Sequence, residues 1–390
     1  MKDFHVAVIG HPMPPHVGPT LPVVSTLVRR GYRVTYVTSR SFASRVAATG
    51  ATVVETSPFR PFTTLEPYEK QNFQHPYCRA ALRTLATVMS VYENDKPGLI
   101  VYDLVAFAGR ILAHQWKIPA VQTCPTFALR RATFDRSIEN PDFRRELFEL
   151  GAHADRFLTN HGISNSDFLF HRERLNIYFV PRDLQPDKYA SDESCFFAGR
   201  CPGEQLYYGQ WHRTQDHHGP TILVSTSTVY LQGPEFFKLC IDTLVGFKGR
   251  VILSVGDHMD VGSLGPLPPH FEIVQGAAHV MILPHVSLFI CLGGNITAAE
   301  AAYHGVPLIV TSHGFTELEY QGDNIENAGL GLHLRKNDLD VDNLRSAVTR
   351  VLGDATLLNK VRLIQRSVRR EPGAEEVANR IEEYLDAYGV

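Results

Sequence analysis

Six cysteines are spread over the 390 residues, at positions 78, 124, 195, 201, 240 and 291, and no two of them form a C-x-x-C pair. That scatter argues against a disulfide framework and offers no zinc-ligand spacing, so reduced and mostly buried thiols are expected. An excess of charge is missing too: 38 Lys and Arg stand against 41 Asp and Glu, a formal net charge of −3, and no basic stripe carries interleaved aromatics. Nucleic acid is therefore not an expected partner. The most apolar stretch, HVMILPHVSLFICLGG (residues 279–294), is too short and too interrupted by His and Pro to span a bilayer. Met1 leads into FHVAVIG, with no basic region, apolar run and small-residue cleavage site, so no signal peptide is read and a cytoplasmic location is expected. Low-complexity tracts, GxGxxG and Walker loops are also absent.

What is present is alternation. HVAVIG reads as a short apolar strand, LPVVSTLVRRGYR has helical spacing up to Gly31, and RVTYVTS is strand-like again. SFASRVAATG then ATVVETS, and GLIVYD then AFAGRILAHQW then IPAVQTC, continue the pattern, which implies a parallel sheet covered on both faces. Residues 206–219 are polar and aperiodic and read as a linker. Beyond it TILVSTS, PEFFKLCIDTLVGF, RVILSVGD, FEIVQG, SLFICLGG, a helix from about Thr297 to His304, and PLIVTS build a second α/β domain. The expected division is 1–205, linker 206–219, 220–372, and a last amphipathic helix, 373–390, with acids in its first turn. Two doubly wound parallel-sheet domains facing a cleft would bind ligands at the loops that follow strands.

Chemistry-bearing residues fall in such loops. GHPMPPHVGPT (residues 10–20) holds His11 and His16 among four prolines, and a histidine on a stiff loop suits general-base work at neutral pH. Asp103 ends the strand LIVYD and either orients an imidazole or caps the next helix; the sequence leaves the two readings even. In FICLGGNITAAEAAYHGVP, Gly293 and Gly294 allow close backbone approach and the helix N-terminus attracts phosphate, with Thr297 and Glu300 one turn in. Glycines used only for tight helix–strand packing remain the alternative. DLDVD (residues 338–342) precedes a helix and reads as capping and solvated surface, not as a metal site.

The stretch HVAVIGHPMPPHVGPTLPVVSTLVRRGYRVTYVTS, the strand-end Asp103 and the block LGGNITAAEAAYHGVPLIV resemble the family 1 UDP-sugar-dependent glycosyltransferases, specifically the bacterial macrolide and flavonoid enzymes. The resemblance covers nearly the whole chain and implies the GT-B fold. It assigns residues 1–205 to an acceptor domain, 220–372 to a nucleotide-sugar domain and 373–390 to a helix crossing back to the first domain. By position it implies His16 as catalytic base and Asp103 as its partner, with no counterpart for His11, and inverting transfer without a metal or bound cofactor. The donor-side candidates are Thr228, Gly293, Gly294, Asn295, Thr297, Glu300 and Glu317, with His279 standing where the family pattern has a glutamine. A nucleotide sugar is the implied co-substrate, and the aromatics of residues 58–80 either shape a site for a small hydrophobic acceptor or serve local packing.

The donor half departs from the family pattern. Leu292 stands where the family's H-x-G-x-x-[ST]-x-x-E motif has histidine, Ser227 where a turn glycine is usual, Gly276 where an aromatic often stacks on the base, and Leu318 where an amide follows the acid. Three readings follow: a glycosyltransferase with a divergent donor site, a GT-B protein repurposed for acid–base elimination or cyclisation without a sugar nucleotide, and an inactive ligand- or partner-binding homologue.

Overall fold

In the computed structural model the chain divides into two units: Met1–Pro181, Asp187–Tyr207 and Glu371–Val390 form the first, and Arg182–Pro186 with Tyr208–Arg370 the second. The structure describes residues 4–58, 76–131, 134, 138–164, 167–186, 192–201, 211, 219–226, 233–256, 259–275 and 279–389. Most of the expected linker lies outside these residues. The sequence reading kept 1–205 as one stretch. The structure instead gives Arg182–Pro186 to the second unit, because the 3₁₀ turn Arg182–Leu184 packs on two of that unit's helices.

Seven parallel strands make the first sheet: β1 (His5–Ile9), β2 (Arg33–Ser39), β3 (Thr52–Thr56), β4 (Leu99–Asp103), β5 (Ala120–Cys124), β6 (Asn176–Tyr178) and β7 (Cys195–Phe197). Their order is 3-2-1-4-5-6-7. β1, β4 and β5 are buried along their whole length, which is why the first two read as near-continuous apolar runs. The helices of this unit are α1 (Pro14–Val17), α2 (Leu21–Arg29), α3 (Arg40–Ala47), α4 (Pro76–Tyr92), α5 (Phe107–Trp116) and α6 (Pro141–Asn160). One sheet face packs Ile9, Ile100 and Tyr102 against Val88 and Tyr92 of α4 and Ala108 and Leu112 of α5.

Six parallel strands make the second sheet: β8 (Thr221–Ser225), β9 (Arg250–Val255), β10 (Phe271–Gln275), β11 (Leu288–Cys291), β12 (Leu308–Thr311) and β13 (Gly331–Leu334), in the order 10-9-8-11-12-13. Its helices are α7 (Pro234–Leu244), α8 (His279–Ile282), α9 (Asn295–His304), α10 (Thr316–Ala328), α11 (Val341–Gly353) and α12 (Ala355–Val368). Phe236 and Phe237 of α7 and Leu344 and Val348 of α11 close one face over Val224, Leu253 and Ile290. Asp340 caps α11 by accepting from the Asn343 N–H at 2.8 Å, the capping role read for DLDVD.

The last helix, α13 (Gly373–Tyr388), belongs to the first unit and lies on α2. Its stripe of Val377, Ala378, Ile381 and Leu385 is buried, and Tyr384 donates to and accepts from the Ala120 backbone at 2.9 and 3.1 Å. Burial of each larger apolar side chain contributes about 1.5–3 kcal/mol. The exposed Arg29–Glu375 pair at 2.7 Å adds at most about 1 kcal/mol, so the stripe holds the helix.

Both sheets reverse direction of growth once, between β1 and β4 in the first and between β8 and β11 in the second. Each reversal is a topological switch point, where the connections on either side run apart and leave a crevice at the strand ends. No helix among the described residues is long and apolar enough to cross a membrane.

Candidate active site

Residues 14–29 correct one expectation. The stretch read as a stiff loop is a run of helical turns: α1, a 3₁₀ turn at Gly18–Thr20, then α2. Pro14, Pro15, Pro19 and Pro22 all sit in the first two positions of these turns, where a missing N–H costs nothing and φ is already set for helix. The Met13 carbonyl accepts from the N–H groups of His16 and Val17, each at 3.0 Å, which closes α1 and fixes where His16 leaves the backbone. Val17 is buried, and Thr20 Oγ1 is 2.8 Å from the Tyr36 hydroxyl, tying the turn to β2.

His16 follows β1 and Asp103 ends β4, so the two flank the first switch point. Their side chains meet: His16 Nδ1 is 2.8 Å from Asp103 Oδ2. The carboxylate is 2% exposed and the imidazole 16%, so the pair has a buried orienting end and an accessible end. Asp103 Oδ1 accepts from the Val105 N–H at 3.0 Å, so one oxygen holds a local turn while the other faces the imidazole. It is not a helix cap, because α5 begins only at Phe107. A carboxylate accepts only, so Nδ1 carries the proton and the Nε2 lone pair is left to accept one.

At the second switch point the chain leaves β11 through Leu292, Gly293 and Gly294 into α9. The two glycines have different causes. Gly293 sits at φ +79, and a Cβ there would stand 2.6 Å from Val310 Cγ1, so packing and backbone both require glycine. Gly294 has φ −57 and ψ 147, and a Cβ on it would meet nothing closer than Thr297 Oγ1 at 3.9 Å. Neither the backbone nor the packing demands a glycine there. The N-terminus of α9 begins at Asn295, two residues earlier than the sequence suggests; it has no side-chain cap and no acid in its first turn. Thr297 and Glu300 are half-buried on this helix, and Leu292 is 2% exposed.

His279 opens α8, and its Nε2 is 2.7 Å from Ser225 Oγ at the end of β8, on the other side of the same switch point. Burial lowers its pKa to about 4, so the ring is neutral near pH 7 and keeps one N–H donor and one acceptor. Thr228, Ser227 and Gly276 lie outside the described residues, as do residues 59–75 of the expected acceptor segment.

Glu317 is the second residue of α10, and the Gln321 amide, one turn on, donates to its Oε1 at 2.9 Å. Leu318 is 3% exposed, so the amide expected there has given way to a core side chain. Gln321 was not singled out in the sequence; its i,i+4 spacing from Glu317 was the available signal. A polar knot also went unread. His333 of β13 is 2.8 Å from Asp323 Oδ1 and 2.9 Å from Ser312 Oγ, while Ser312 donates to Glu319 at 2.5 Å and Arg335 pairs with Asp323. It ties α10, which carries Glu317, to the ends of β12 and β13.

Two wholly parallel sheets, a His–carboxylate pair at one switch point and a glycine turn into a helix at the other, define the GT-B class of glycosyltransferase. Residues 238–384 match the family described as erythromycin biosynthesis protein CIII-like, C-terminal domain. The NDP-glycosyltransferase YjiC of Bacillus licheniformis is 33% identical over 405 aligned residues, covering 100% of both chains. The solved glycotransferase of kitacinnamycin matches with a TM-score of 0.82 and 26% identity over 98% of this chain and 100% of its own. The calicheamicin glycosyltransferase CalG4 matches with a TM-score of 0.79 and 28% identity over 99% of each chain. The chain belongs to the macrolide and UDP-glycosyltransferase type of family 1 GT-B glycosyltransferases, and it is an enzyme of that class.

Proposed function

We propose that this enzyme moves a sugar from a nucleoside diphosphate sugar to a hydroxyl of a small hydrophobic natural product, with inversion at the anomeric carbon. The observation that carries the reading is the His16–Asp103 pair at the β1/β4 switch point. His16 Nε2 takes the acceptor's hydroxyl proton as the oxygen bonds to the anomeric carbon, and the bond from that carbon to the diphosphate breaks with its electron pair. Asp103 holds the tautomer and stabilises the imidazolium that forms. The uncapped N-terminus of α9, with Gly294, Asn295, Thr297 and Glu300, receives the diphosphate, and Thr228 adds a hydroxyl. His279 serves the nucleoside as a neutral donor and acceptor, and Glu317, aligned by Gln321, takes the sugar hydroxyls. The kitacinnamycin and calicheamicin enzymes support a natural-product acceptor, and the name of the Bacillus relative supports a nucleotide-sugar donor.

Leu292, buried where the family pattern has histidine, favours the second reading, acid–base chemistry without a sugar nucleotide. Calorimetric titration with UDP, dTDP and UDP-glucose separates the two. The native enzyme is expected to bind at least one of them with a Kd of about 1 μM, near −8 kcal/mol. The Leu292→His variant is expected to gain no more than one charge-assisted hydrogen bond, about 1.5–3 kcal/mol. Binding that appears only after histidine is restored would contradict the transferase reading.

A further inference from the structure

The geometry points to His11 as a positioning residue for His16, its buried ring forming the wall that fixes the plane of the base. The inference rests on the reading of His16 as base and concerns a residue to which the family pattern assigns no role.

Asp103 engages His16 at one nitrogen only. A torsion between sp³ and sp² atoms is broad, so one hydrogen bond leaves the imidazole plane soft and its Nε2 lone pair loosely aimed. The next contact along the chain supplies a second constraint. The ring of His11 lies 4.9 Å from that of His16, centroid to centroid, at an interplanar angle of 73°, an edge-to-face arrangement. His11 is itself held: it is 2% exposed, it follows the end of β1, and its carbonyl accepts from the Met13 N–H at 2.7 Å. On another side it meets Tyr77 of α4 at 5.2 Å and 75°. Three rings, Tyr77, His11 and His16, thus succeed one another edge to face, connecting the described end of the acceptor segment to the base. Burial first, and the neighbouring His16 second, push the His11 pKa well below the ordinary histidine value. A neutral wall suits a base that must accept a proton, because a charged ring at this distance would oppose the imidazolium.

The test uses the full chain with ¹⁵N-labelled histidine, the native protein and the His11→Leu, His11→Phe and His16→Ala variants, the last identifying the His16 signals. Leucine keeps bulk without a flat ring; phenylalanine keeps the ring without titrating. The native, Phe and Leu proteins are all expected to keep the Nδ1-protonated His16 tautomer that Asp103 fixes, and the Leu variant alone to show broadened His16 ring signals, the mark of an imidazole plane no longer held. Turnover of UDP-glucose with a hydroxylated flavonoid supplies the functional arm. Leu lowers kcat by about 10²-fold, the scale of a misplaced reacting group, with KM little changed, and Phe restores it. Sharp, native-like His16 ring signals in folded His11→Leu protein, or a Phe variant as impaired as Leu, would overturn the inference. A His16→Ala enzyme that remained active would instead remove the underlying reading, so the two failures are distinguishable.

Discussion

The His16→Ala enzyme is expected to lose kcat by about 10²–10⁴-fold, the contribution of a positioned general base, while keeping its fold and its affinity for the nucleotide. The fold survives because α1 is closed by backbone bonds to the Met13 carbonyl and anchored by buried Val17, neither of which uses the imidazole. Nucleotide affinity survives because the proposed diphosphate contacts belong to the second unit. Initial rates with UDP-glucose and a hydroxylated flavonoid, beside a thermal melt and a UDP titration, read all three quantities. Undiminished turnover in folded protein would remove His16 from the mechanism.

The second large effect concerns Asp103. In Asp103→Asn, the Val105 N–H keeps an acceptor, but the remaining group facing His16 Nδ1 is an NH₂ donor. The imidazole then presents a lone pair to the amide and its N–H to the acceptor, the tautomer that cannot take a proton. A loss of about 10⁴-fold in kcat is the scale of such a swap in a Ser-His-Asp enzyme, and a loss between about 10² and 10⁴ is expected here. Because the pair acts as a unit, His16→Ala combined with Asp103→Ala is expected to be no slower than His16→Ala alone. The four kcat values of that cycle measure the coupling. Strictly additive losses would mean that Asp103 acts elsewhere.

Much of this arrangement was legible in the sequence because parallel strands buried on both faces write themselves as apolar runs, and the residues after them are where ligands bind. His16 and Asp103, 87 residues apart, were placed near each other by that logic and paired by the family resemblance, and they meet. The helical character of PPHVGPT was not legible, since α1 has four residues and no periodicity to display. The start of α9 was set two residues late because Gly294 gives none of the side-chain signals of an N-cap. His11 was passed over for a related reason: its contact with His16 exists only once the intervening turn is helical. The His279–Ser225 bond and the knot around His333 join separate strand ends, and no spacing rule foretells which polar side chains will share a buried pocket. Leu318 shows the opposite case, a motif position lost to the core while Gln321 brings an amide to Glu317 from the next turn.

The central claim, single displacement driven by His16, is tested most directly by the anomeric configuration of the product formed from UDP-glucose, whose sugar is α-linked. The coupling constant of the anomeric proton in the purified glycoside distinguishes the outcomes. The account predicts a β-glycoside, the result of in-line attack on the face opposite the diphosphate. An α-glycoside would require two displacements or front-side attack, and would contradict it.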